Sequence, residues 1–146
     1  MRNGLCISAD SHIVEPANFF DPIVKRFGDE APHMAVNDPA RGPQVYLGNG
    51  QWGLPAAGFL QVNVDFTSPQ AREDMKRGYG LARLGCYDTN ERMKDQEIDG
   101  IDAEVLYPSL LFNVYQVARR DIIEYSFQTY NDWISDYCKG HTDRLF

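Results

Sequence analysis

Residues 5–16 read LCISADSHIVEP, and the fold class turns on this stretch. Residues 5–9 form a short, mostly apolar run between Gly4 and Asp10. Such a run fits a strand buried on both faces, as in a parallel sheet, and a buried helical turn has the same pattern. The next segment, EPANFFDPIVKRF (15–27), favours the strand. In it Phe19, Phe20, Ile23, Val24 and Phe27 recur at helical spacing, and Gly28 is a stop. Pro22 cannot sit inside a continuous helix, so two short pieces with a break near Asp21 are predicted. Residues 1–30 thus read as a first βα unit.

Residues 31–67 have a different character. Pro32, Pro39, Pro43 and Pro55 fall here, and QVYLGNGQWGL (44–54) carries Asn49-Gly50 between β-prone runs. Asn-Gly tolerates positive φ at both positions and is the preferred centre of a tight hairpin turn. The region is predicted to be an irregular insertion built around one hairpin. Ser68-Pro69 then opens a helix to about Arg77, with a capping hydroxyl and a proline at the first helical position. A second helix starts at Asp88, where Asp88 and Glu91 stand as in a capping box, and ends at Gly100. Helices therefore fill 68–100.

Residues 101–146 form a second βα unit. In IDAEVLYPS (101–109), Ala103 to Tyr107 is a strand halted by Pro108. Residues 120–139 form the longest helix, with Ile123, Phe127, Tyr130, Ile134 and Tyr137 as one apolar stripe. After Gly140 the terminal Leu145-Phe146 is where a third strand should begin. Alternating strands and helices imply parallel pairing through right-handed crossovers. The fold class is α/β.

A chain of 146 residues, 43% hydrophobic and 24% charged, is ordinary for one soluble domain. A net charge of −7 with scattered basic residues argues against nucleic acid. No apolar run approaches the ~20 residues that span a bilayer, and the N-terminus is not a signal peptide. Cys6, Cys86 and Cys138 are odd in number and far apart, which favours packed, reduced thiols in a cytoplasmic protein. Dinucleotide, phosphate-loop and nucleophile-elbow motifs are absent, and Gly78-x-Gly80 is too short for a phosphate loop.

Asp10, His12 and Glu15 cluster at the exit of the first strand, the end where α/β folds bind ligands. Residues two apart in an extended chain point to the same side. Asp10 and His12 can therefore share one cation, and a carboxylate with an imidazole suits zinc, manganese or iron. The same triplet also fits a helix-capping aspartate beside a surface histidine.

Three blocks in order, SADSHIVEP (8–16), ERMKDQEIDGIDAEVLYPS (91–109) and YNDWISDYCKGHTDRLF (130–146), resemble the amidohydrolase-related family. This is the branch of the amidohydrolase superfamily that includes the aminocarboxymuconate-semialdehyde decarboxylase type. The resemblance implies a (β/α)8 TIM-type barrel with a divalent metal, zinc, manganese or similar, at its C-terminal face. It implies hydrolysis, or non-oxidative decarboxylation, of a small aromatic or unsaturated carboxylate or an amide. The superfamily's first strand ends in H-x-H, and the matching metal ligands here are Asp10 and His12. A carboxylate in first place lowers the preference for zinc. The family's remaining ligands and its general acid/base match no position of this sequence. A barrel needs roughly 250 residues, so 1–146 is read as a single partial barrel domain, incomplete and catalytically weak by itself.

Tyr107 and Ser109 end the second strand and are the candidate substrate-binding residues, with packing or capping as the alternative. Trp52 and Tyr46 read as a lid or as packing for the insertion, Trp133 as a ring docked on the outside of the strands. His33 and His141 match no ligand position. A reading of a different class is a small non-catalytic α/β domain. Open strand edges favour association, so a homo-oligomer is expected in either case.

Overall fold

The computed structural model describes residues 4–36, 38, 41–56, 65, 67–71, 73, 77–80 and 82–146. Strand β1 (Ile7–His12) lies parallel to strand β5 (Ala103–Tyr107), with Ile7 opposite Ala103 and His12 opposite Tyr107. β1 is longer than residues 5–9 predicted and carries both Asp10 and His12. On the other side of β5, Glu104 N–H donates to Arg144 O (2.8 Å) and Leu106 N–H to Phe146 O (2.7 Å), with Leu145 bridged in parallel to Glu104. The terminal Leu-Phe therefore pairs where a third strand was expected to begin.

Helix α1 (Asp21–Phe27) carries Pro22 in its first turn, where no intrahelical N–H is needed. The chain before it is a separate turn, closed by Phe19 N–H to Pro16 O (2.9 Å) and Asp21 N–H to Asn18 O (3.1 Å). The break near Asp21 is as the proline dictated.

The insertion is a three-stranded antiparallel sheet, β2 (His33–Ala35), β3 (Gln44–Tyr46) and β4 (Trp52–Pro55), in that order. Its hairpin turns on Asn49 (φ 51°) and Gly50 (φ 73°), both positive as a two-residue hairpin turn requires. Gly48 has a separate constraint: a Cβ there would lie 2.2 Å from Glu30 O, and its φ is 104°. Tyr46 stacks on His33 (5.4 Å, 10°), and Trp52 Nε1 donates to Gln44 Oε1 (2.9 Å). Both rings make these contacts within the insertion itself.

The helix expected over 68–77 falls partly outside the described residues; Gln70 N–H donates to the Ser68 hydroxyl (3.2 Å), as a cap would. Helix α2 (Thr89–Asp99) is capped by Asp88, whose side chain accepts from Glu91 N–H (2.9 Å), and closed by Gly100 at φ 66°. The capping box is half made: Asp88 N–H donates to Leu84 O, and the Glu91 carboxylate pairs with Lys94.

Helix α3 (Arg120–Cys138) packs on α1. Its buried line is Ile122, Ser126 and Tyr130, one residue round from the predicted stripe; Ile123, Phe127, Ile134 and Tyr137 flank it half-buried. Ser126 can be buried because its hydroxyl donates to Ile122 O (2.7 Å). Trp133 packs edge-on to Phe19 (5.7 Å) and tilted against Tyr130 (5.8 Å), so it docks on the connection before α1 and not on the strands.

One core joins these parts. Ile13, Phe19, Phe20 and Ile23 meet Leu106, Leu110, Leu111 and Val114, Ile122 and Tyr130 of α3, and Val45 and Leu47 of the hairpin. Each such fully buried side chain stabilises by about 1.5–3 kcal/mol. No helix among the described residues is long and apolar enough to cross a membrane.

Candidate metal centre

The two strands end together, and their end holds the site. Between Ser8 and Ser11 the pairing slips: Ser8 faces Glu104 and Ser11 faces Leu106, three steps on β1 against two on β5. This bulge puts Ser8 and Ser11 on one face, hydroxyls 2.7 Å apart, with Ser11 donating to Glu104 Oε1 (3.0 Å). His12 then falls on the other face, opposite Tyr107.

Asp10 and His12 converge as the spacing predicted. His12 Nε2 lies 3.6 Å from Asp10 Oδ1, with side chains 48% and 85% exposed. That separation is less than two metal–ligand bonds of about 2.1 Å placed end to end, so one ion could touch both. His12 Nδ1 lies 3.0 Å from Pro108 O. A carbonyl can only accept, so Nδ1 is the donor to Pro108, and the other ring nitrogen, Nε2, faces Asp10. A backbone carbonyl on the far nitrogen is a common support of metal-binding histidines. The donor set fits a divalent ion but is small: among the described residues no three His, Cys, Asp or Glu side chains gather. His33 stacks on Tyr46 in the insertion, and His141 lies in the turn after α3, where its carbonyl accepts from Arg144 and Leu145.

Glu15 does not join the pair. It is 0% exposed, and its carboxylate accepts from the backbone N–H groups of Ser109 (3.1 Å), Leu110 (2.8 Å) and Leu111 (3.1 Å). Burial pushes its carboxyl up from the ordinary range, and these amides oppose the rise. Ser109 is likewise 3% exposed, with its amide donating to Glu15, so it lies buried in this turn. Tyr107 is exposed, and its ring centroid lies 6.2 Å from that of His12. Phe112, from the 3₁₀ turn Leu111–Gln116, is exposed at the same 6.2 Å on the imidazole. No periodicity marked Phe112 in advance, because it lies in a single irregular turn.

Beneath the sheet, Glu104 meets Arg92 of α2. Arg92 Nε donates to Glu104 Oε2 (2.5 Å), Gln96 Nε2 to the same oxygen (2.8 Å), and Arg92 Nη1 to His12 O (3.2 Å). Burial alone would raise the Glu104 carboxyl; the Arg92 and Gln96 hydrogen bonds and the Arg92 charge outweigh it and hold the group below its ordinary range. A glutamate amid AEVLY called for a buried partner, but the spacing did not say which cation would supply it.

Comparison with known proteins reports on the fold. No protein-family model matches the chain, and no curated protein matches it. A solved amidohydrolase from Mycobacterium avium subsp. paratuberculosis K-10 has a similar fold, with a TM-score of 0.65 at 14% identity. The likeness covers 100% of this chain and 42% of that one, so the present chain spans less than half of its solved neighbour. The chain thus shares the α/β fold of a segment of that neighbour.

Proposed function

We propose that this chain supplies part of the metal site of an amidohydrolase-type enzyme, a hydrolase or a non-oxidative decarboxylase. In this reading β1 and β5 are neighbouring strands of a (β/α)8 barrel, and Asp10 and His12 hold a divalent ion at their C-terminal end. The observation that carries it is the fixed imidazole: Nδ1 is committed to the Pro108 carbonyl, and Nε2 is left facing Asp10 Oδ1 at 3.6 Å. Such an ion supplies a water of lowered pKa, near ~7, and polarises a carbonyl. The chain's own residues orient: the exposed rings of Tyr107 and Phe112, each 6.2 Å from the imidazole and tilted to it, suit a small planar carboxylate or amide. The carboxylate in first position favours manganese or a similar ion alongside zinc.

The test is a titration of the 146-residue chain with Zn2+ and Mn2+ followed by calorimetry. Weak binding to the parent, lost in His12→Ala and in Asp10→Asn, supports the reading; equal binding by all three refutes it.

A second reading, a non-catalytic domain that self-associates, draws on exposed apolar residues at the start of β1 and at the end of the chain. Leu5 is 80% exposed, Ile7 57% and Phe146 60%. A defined oligomer that binds neither ion favours it.

A further inference from the structure

The segment from His12 to Glu15 is held at every residue by a different part of the fold. His12 O accepts from Arg92 (3.2 Å), Ile13 N–H donates to Tyr107 O (3.0 Å), and Val14 N–H donates to Cys86 O (3.0 Å). Glu15 O accepts from the Tyr79 hydroxyl (2.5 Å). The Glu15 carboxylate reaches across 94 to 96 residues of chain to the three amides of 109–111. Those amides directly follow Pro108, whose carbonyl accepts the His12 Nδ1 proton. The loop between runs Tyr107, Pro108, Ser109: the first residue pairs with His12 in the sheet, the second holds its ring, and the third is held by Glu15.

We propose that Glu15 is a positioning residue: its buried carboxylate, clasped by the amides of Ser109, Leu110 and Leu111, fixes the turn after β5 so that the Pro108 carbonyl locks His12 as the Nδ1–H tautomer with Nε2 toward Asp10. This rests on the metal reading for its use, but not for its geometry. A carboxylate has two oxygens and about four lone-pair sites, so it can take three N–H donors at once. An uncharged amide has one acceptor oxygen, and its NH2 group would face a backbone N–H. Glu15→Gln therefore keeps the volume and removes the clasp. An imidazole without a fixed acceptor exchanges between its two tautomers.

The experiment is long-range proton–nitrogen correlation spectroscopy on metal-free, histidine-labelled protein at a pH of about 8, above the ordinary histidine pKa. The parent is expected to show His12 as the Nδ1–H form, and Glu15→Gln a mixture of both. Zn2+ affinity, measured in parallel, is expected to fall about 10- to 100-fold in the variant. A purely structural Glu15 would lower the melting temperature and leave the tautomer unchanged, which overturns the proposal. A parent with Nε2–H His12 also overturns it. If Glu15→Gln does not fold, Glu15→Asp, which keeps the charge and shortens the reach by one methylene, takes its place under the same criterion. A parent that binds no metal, with the tautomer shift intact, removes the metal reading and leaves the positioning role standing.

Discussion

Replacing Arg92 with methionine tests how the sheet is joined to α2. The Arg92 and Glu104 side chains are only 10% and 12% exposed, so the ion pair is a buried one. Removing one partner of such a pair costs about 3–5 kcal/mol, because the remaining charge is left unpaired in a poor solvent. Here Glu104 would keep two donors, Gln96 Nε2 at 2.8 Å and Ser11 Oγ at 3.0 Å, which places the loss near the lower end. Arg92 also serves His12 O and Gly85 O, and these carbonyls would lose a donor. The net expectation for Arg92→Met is a loss of about 3 kcal/mol. With a urea slope of about 1.5–3 kcal/mol/M, the unfolding midpoint should fall by roughly 1–2 M. The double variant Arg92→Met/Glu104→Leu removes both charges and should recover most of the loss, since an apolar replacement of a buried pair is often neutral. A single variant within about 0.3 M of the parent, or a double variant no better than the single, would refute this account of the pair.

Acid should act through the same carboxylate. Glu104 is held below its ordinary value of 4.5, so its contribution is complete above that pH and is lost as pH falls through the lower folded-state value. Urea midpoints measured down from pH ~5 should fall in the parent, and fall less in Arg92→Met. Gly48→Ala should destabilise by about 1–3 kcal/mol, because its Cβ meets Glu30 O at 2.2 Å and its φ is 104°. Gly140→Ala, with nothing within 4 Å, should be near neutral by the same melting assay. Finally, Leu5→Ser/Ile7→Ser should lower the apparent mass of the chain in light scattering if the exposed side of β1 drives association.

The parallel pair and the converging Asp10 and His12 were legible because two independent signals met there: an apolar run and side chains two apart at its end. The hairpin was legible from Asn49-Gly50 alone, since few dipeptides accept two positive φ values. The α3 stripe was displaced because Ser126 counts as polar until its hydroxyl finds Ile122 O. The three-residue strand β2 carries too little pattern to be seen; it forms because β3 offers a partner. Glu15 was grouped with Asp10 and His12 by proximity in sequence. Its true partners are amides nearly a hundred residues away, and backbone N–H groups leave no trace in composition.

The slipped pairing between Ser8 and Ser11 gives length in β1 an unusual meaning. His12 stands five steps beyond Ile7, an odd number, yet both sit opposite residues of one side of β5, Ala103 and Tyr107. Remove one residue from 9–10 and the step falls to four, which simple alternation carries without a bulge, so the imidazole would stay on the Tyr107 side. Straightening the strand at its present length would instead turn the imidazole to the side occupied by Arg92 and Glu104. The slip thus absorbs one surplus residue, and the side on which His12 stands depends on the bulge and the residue count together.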